Sequence, residues 1–157
     1  MAFGTVKVDS ITSSTQTLTV DNLLESGDIG STVQAHDADT AKTDVAQTYT
    51  KAQRGTITTL TDAATIQPDF QASNNYTVTL AGNRTLANPS NLTAGQSGSI
   101  FIVQDGTGSR TLSFGSYWDF AGGTAPTLTT DASAVDRVDY IVRSTTSIHA
   151  VFTAAYS

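Results

Sequence analysis

In the run SNNYTVTLAGNRTL, from Ser73 to Leu86, apolar side chains fall at every second position (Tyr76, Val78, Leu80) between Asn-Asn and Ala-Gly-Asn. Strict alternation of this kind predicts a strand with one buried face, closed at both ends by turn residues. The same writing recurs along the C-terminal two thirds of the chain. It predicts strands at TITTL (Thr56 to Leu60), YTVTL (Tyr76 to Leu80), SIFIVQ (Ser99 to Gln104), TLSF (Thr111 to Phe114), RVDYIVR (Arg137 to Arg143) and SIHAVFT (Ser147 to Thr153). The last two, joined by Ser144-Thr145-Thr146, make the clearest hairpin. Val138, Tyr140 and Val142 share one face there and Ile148, Ala150 and Phe152 answer them, so these six are the expected centre of the core. SIFIV is apolar on both faces, which suits a strand in the middle of a sandwich.

The N-terminal third is written differently. FGTVKV (Phe3 to Val8) and QTLTV (Gln16 to Val20) read as short strands, with Ser10 to Ser14 as a polar connection. From Asp21 to Gln53 large apolar residues are few and keep no period. Only Asp39 to Gln47 offers one or two helical turns, with Asp37 or Asp39 as N-cap and Ala41, Val45 and Tyr49 at helical spacing. Such a segment buries too little to offset about 1–2 kcal/mol of backbone entropy per ordered residue. It is expected to be mobile alone and to lie on another copy or another protein. The expected organisation is therefore all-β: an antiparallel β-sandwich or jelly-roll domain over residues 55–157, preceded by an extended arm over residues 1–54 with short strands and at most one short helix.

Composition strengthens the β reading and narrows the function. Thr outnumbers all the charged residues together, and its β-branch favours extended backbone. The net charge of −6 is concentrated in the arm: residues 1–50 hold seven acids and two bases, and residues 51–157 hold seven and six. No basic stripe is present to neutralise phosphates, so nucleic acid is not an expected partner. Without cysteine there is no disulfide framework, thiolate zinc site or thiol nucleophile. No run approaches the roughly 20 apolar residues of a membrane span, and the first residues lack a signal-peptide pattern. A soluble product that no ordinary signal exports, with no membrane partner, is expected.

Candidate chemistry is thin. His36 stands in HDAD beside Asp37 and Asp39, a ligand-like set that a polar turn explains as well; His149 alternates with Ile148 and Ala150 and is expected to face solvent or a subunit contact. DGTGSR (Asp105 to Arg110) lacks the Gly-Lys-Ser/Thr ending of a phosphate loop and reads as a hairpin turn. The acids Asp136 and Asp139 flank Arg137, where a solvated ion pair accounts for them. No paired carboxylates or nucleophile motif can be assembled, so no catalytic residue, metal or cofactor is expected. The matches to N-x-T at Asn75, Asn83 and Asn91 follow from an Asn- and Thr-rich composition. The aromatic group Tyr117, Trp118 and Phe120 fits core or interface packing, with stacking on a sugar ring as the alternative.

The opening MAFGTVKVDSITSSTQTLTV, the linker GSTVQAHDADTAKTDVAQTYTKAQRG and the run from Asn83 to Thr130 together resemble virion structural proteins of tailed bacteriophages, particularly those of cyanobacteria and other aquatic bacteria. The resemblance covers essentially the whole chain. It implies a non-enzymatic, β-rich module, usually homotrimeric, attached to the particle by its N-terminal part. Within that class the core-poor acidic arm and single β-domain match a capsid decoration (cement) protein on the phage head, its arm bound to the major capsid protein. Phe3, Val6, Val8, Leu18, Val20, Leu23, Leu24 and Ile29 would then be the anchoring residues. The alternative is a tail fibre or spike component that binds a host-surface glycan, with Tyr117, Trp118 and Phe120 at the contact.

Overall fold

The computed structural model describes residues 10–12, 17–19 and 48–156. The chain divides into two compact units, Met1–Thr50 and Lys51–Ser157. In the first, β1 (Ser10–Thr12) and β2 (Thr17–Thr19) pair antiparallel, with Ile11 opposite Leu18. Strand β1 thus occupies part of the stretch expected to be a connection. The expected strand over residues 3–8 and the expected helix over residues 39–47 lie outside the described residues.

The second unit is all β apart from one 3-10 turn at Ala121–Gly123. Its strands are β3 (Ile57–Thr59), β4 (Thr65–Ile66), β5 (Asn75–Leu80), β6 (Arg84–Leu86), β7 (Ser97–Gln104), β8 (Leu112–Phe114), β9 (Trp118–Phe120), β10 (Val135–Ser144) and β11 (Ser147–Tyr156). They form a six-stranded sheet in the order β3-β5-β7-β10-β11-β9 and a three-stranded sheet in the order β4-β6-β8. All six expected strands are present within a few residues of their expected ends. The expected hairpin is there as well, with Val138 opposite Phe152, Tyr140 opposite Ala150 and Val142 opposite Ile148.

The pairing corrects the antiparallel expectation. Strands β3, β5 and β7 are parallel to one another, as are β4, β6 and β8; within this unit antiparallel pairing joins β7 to β10 and β10 to β11. Successive strands alternate between the two sheets, so the crossover that a parallel pair requires is supplied by a strand of the opposite sheet. The chain therefore winds as three stacked rungs, β3–β4, β5–β6 and β7–β8, in the manner of a short β-solenoid. A third side of the rungs is marked by the parallel bridge between Asp69 and Ser90. The hairpin β10–β11 then closes the six-stranded sheet against the outer edge of β7, and β9 returns to pair in parallel with β11.

DGTGSR is consequently a corner between sheets rather than a hairpin turn. Asp105 Oδ1 accepts hydrogen bonds from the Thr107 and Gly108 amides, and Gly108 takes φ +73° to make the turn.

Between the sheets lies one hydrophobic cluster. Tyr76, Val78, Leu80, Ile100, Ile102, Val138, Tyr140, Val142, Ile148 and Ala150 project from the large sheet, and Ile66, Leu86 and Leu112 from the small one. Five of the six expected core residues are fully buried, and Phe152 packs half-buried against the cluster. Phe70 stacks on Tyr140 with ring centroids 4.5 Å apart and on Tyr76 at 5.9 Å, and meets Trp118 edge-on.

Rung spacing is tightest where Gly98 passes Asn74. A Cβ on Gly98 would overlap the Asn74 carbonyl, the same oxygen that accepts hydrogen bonds from the Ser99 amide and the Tyr140 hydroxyl. Gly98→Ala is expected to cost about 1–3 kcal/mol by forcing the rungs apart. Gly106→Ala, whose Cβ would meet open space, should stay within about 0.5 kcal/mol. Denaturant unfolding of the two variants checks the contrast.

Candidate functional site

The side chains expected to carry function separate in the structure. Trp118 is 6% exposed, with its ring against Phe70, Phe114 and Tyr140 and its indole N–H donating to the Ala87 carbonyl at 3.1 Å. A ring held this way is a packing element that ties β9 to the end of the second rung, and it presents no free face for a sugar. Tyr117 and Phe120 are half-buried beside it, with Phe120 edge-on to Phe114 at 4.8 Å. Of the arm residues, Leu18 lies in β2; Phe3, Val6, Val8, Val20, Leu23, Leu24 and Ile29 lie outside the described residues, as does His36. His149 is exposed on β11.

Asparagine carboxamides of the second rung hold the third. Asn75 Oδ1 accepts from the Ser99 amide, Asn83 Oδ1 from the Thr111 amide and Asn88 Oδ1 from the Tyr117 amide, at 2.9–3.2 Å. Asn91 Nδ2 donates to Asp69 Oδ1 at 2.7 Å, linking the second rung to the first. The three N-x-T asparagines thus each carry a side-chain hydrogen bond to a neighbouring rung.

Two buried polar residues complete the corners. Gln104 donates to the Arg110 and Thr129 carbonyls and accepts from the Arg110 amide. Asp136, 1% exposed, accepts from the Thr129 amide and hydroxyl and from the Ala155 amide. That corrects the solvated-pair reading for Asp136: strand alternation turns it inward with Val138, and turns Arg137 and Asp139 outward to pair with each other at 2.8 Å. No buried side-chain donor or acceptor among the described residues lacks a partner.

Two further ion pairs brace this frame. Arg84 grips Asp62 through two nitrogens at 2.8 and 2.6 Å, and Arg110 grips Asp105 at 3.0 and 2.7 Å. Hydrogen bonding from Arg84 holds the Asp62 carboxyl below the usual range against the opposing effect of burial, and Arg110 does the same for Asp105. Burial pushes the Tyr76 and Tyr140 hydroxyls up. Among the described residues no three His, Cys, Asp or Glu gather as a metal site would require, and no helix is long and apolar enough to cross a membrane.

Two recesses flank the segment Pro68 to Ser73. One, of about 350 Å³, opens beside the first rung among Thr58, Leu60, Thr65, Ile66, Gln67 and Tyr76. The other, of about 340 Å³, is lined by Phe70, Gln71, Asn91, Leu92 and Thr93. Neither contains a nucleophile with a base beside it, and both offer mainly hydroxyl, amide and apolar surface.

The family described as "Putative phage tail fibre C-terminal domain" matches residues 65–146, just over half of the chain. The chain belongs to that family. The matched span begins at β4 and ends in the β10–β11 turn, so it takes in the second and third rungs, β9 and β10, and leaves out β3 and β11. No curated protein and no solved structure matches the chain. As a tail fibre C-terminal domain protein it is a bacteriophage virion structural protein.

Two outcomes follow from this geometry. Trp118→Ala is expected to lose about 3–5 kcal/mol of unfolding free energy, measured by denaturant titration. Asp62 and Asp105 have folded-state pKa values depressed below 3.8. Their contribution is complete above the unfolded value, near about pH 4, and is lost as the pH falls through the folded values. Melting temperatures recorded from pH 7 to pH 2 should therefore fall most steeply below about pH 4. Arg84→Gln should remove part of that fall, because Asp62 then titrates near its ordinary value.

Proposed function

We propose that this protein is the terminal module of a tail fibre or spike, displayed as a homotrimer on the phage particle and without catalytic activity of its own. The observation that carries the reading is the family match, which falls wholly within the compact rung-and-hairpin unit and spans β4 to β10. Its internal polar groups are all spent on holding shape, which suits a rigid display surface. In this role the N-terminal unit attaches the module to the virion, and a host-surface glycan would meet the exposed recess at Gln71, Asn91 and Thr93 rather than the buried Trp118.

The division of the chain into two separately compact units favours a second reading, a capsid decoration protein whose N-terminal unit binds the major capsid protein on the head. Both readings use the arm as the anchor, and its apolar residues would be buried at about 25 cal/mol per Å².

Immunogold labelling of purified particles, with copy number from mass spectrometry of intact virions, separates the two. A few copies at the tail are the expected result; hundreds over the head would establish the decoration protein instead. In either setting, deletion of Met1 to Leu24 should abolish incorporation into particles while the Lys51–Ser157 unit stays folded by circular dichroism. Incorporation of the deleted chain would sink the anchoring role.

A further inference from the structure

The two sheets differ on their outer faces. Strands β4, β6 and β8 present the hydroxyl row Thr65, Thr85 and Ser113, in register, with Thr85 and Ser113 hydrogen-bonded at 2.8 Å. The outer face of the six-stranded sheet is apolar by comparison. Of the five large hydrophobic residues most exposed among the described residues, four lie on it: Ile57 at 52%, Ile141 at 50%, Val151 at 64% and Tyr156 at 40%. Phe101 and Val103 stand half-buried between them on β7. Strand β7 is therefore apolar on both faces, although only one of them reaches the core.

We infer that this face is where copies of the chain meet one another. The inference rests on the proposed self-assembling virion module and names the surface it uses. Three observations select a second copy as the occupant. The first is width: one row runs through Ile57, Asn75, Ser99, Asp139 and Val151, across five strands. At about 4.8 Å per strand this is roughly 19 Å, which an added extended segment would not cover and the sheets of neighbouring copies would.

The second is area. Strand β10 is ten residues long. With that width it gives on the order of 600 Å² of projected face per copy, before side-chain relief is counted, against about 800 Å² of accessible surface per partner in a stable interface. The third is charge. Arg137 and Asp139 lie side by side in the middle of the patch, Asp139 also accepting from Ser99 at 2.6 Å and Arg137 resting over the Tyr156 ring at 5.1 Å. The pair neutralises itself, Arg143 and Asp119 add one charge of each sign nearer the edge of the face, and another copy can bring its Arg137 to this Asp139. A strongly charged partner would find nothing here to select it.

The test uses the purified full-length chain in sedimentation equilibrium, without virions, so that its result stands apart from where the protein sits on the particle. Wild type should sediment at a multiple of 16.4 kDa. Val151→Asp and Ile141→Asp should each raise the dissociation constant at least about tenfold with the far-UV circular dichroism retained, while Thr85→Asp on the other sheet leaves it unchanged. A monomeric wild type at about 100 μM, or assembly insensitive to both substitutions, overturns the inference. A second measurement does not depend on those variants folding. The chain has no cysteine of its own, so Val151→Cys and Thr85→Cys each supply a single thiol. In the assembled protein the thiol at position 151 should react with a maleimide more slowly than the one at position 85, and equal rates would overturn the inference as well.

Discussion

Strand β7 pairs in parallel with β5 along one edge and antiparallel with β10 along the other, and the rest of the C-terminal unit is registered against it. With both edges occupied, its inward residues Ile100 and Ile102 are almost fully buried and set the depth of the core. The strand can be approached this closely because Gly98 carries no side chain where the Asn74 carbonyl passes. That carbonyl then holds the Ser99 amide and the Tyr140 hydroxyl together, so one point fixes the second rung, the third rung and the closing hairpin. Loss of register at β7 would turn every core side chain of the strand to the wrong face.

From that seam outward, the stack is held by two kinds of interaction. Apolar burial is carried by the alternating positions of β5, β7, β10 and β11, with Phe70 bringing the third side of the first rung against Tyr76, Tyr140 and Trp118. Between strands, where the backbone turns from one sheet to the other, carboxamides and carboxylates take over. Asn75, Asn83 and Asn88 reach to the next rung, Asp105 and Gln104 shape the corner after β7, and Asp136 ties the end of β11 to the segment before β10. A solenoid that short has few backbone bonds per rung, so its corners matter as much as its strands.

This construction leaves its surfaces free to differ. The small sheet shows a hydroxyl row and the large sheet an apolar face with a neutral ion pair at its centre. Nothing in the interior needs the outward residues Ile141 and Val151, which makes the outer face available for contact between molecules. Among the described residues every buried side-chain donor or acceptor is committed to holding this frame.

The alternation of apolar residues determined the four long strands β5, β7, β10 and β11, the β10–β11 hairpin and five fully buried members of the core, and runs of four or five residues located the short strands β3 and β8, because side-chain period along a strand is a local property. The absence of basic stripes, cysteine and paired acids likewise narrowed the function without any structure. The two-residue strand Thr65–Ile66 and the three-residue strands Arg84–Leu86 and Trp118–Phe120 were too short for a period to form. Their partners lie in other rungs, so tertiary pairing alone makes them strands. The same holds for direction and for burial of polar groups. Parallel or antiparallel pairing depends on where each corner sends the chain, and Asp136 differs from Asp139 only in which side of β10 it faces once the sheet has formed. Trp118 lies in a stretch that sequence alone allows on a surface loop, and the Ala87 carbonyl and three neighbouring rings place it in the core. Local pattern determined which residues extend; only the stacking of rungs, which brings distant segments into register, decided what each of them touches.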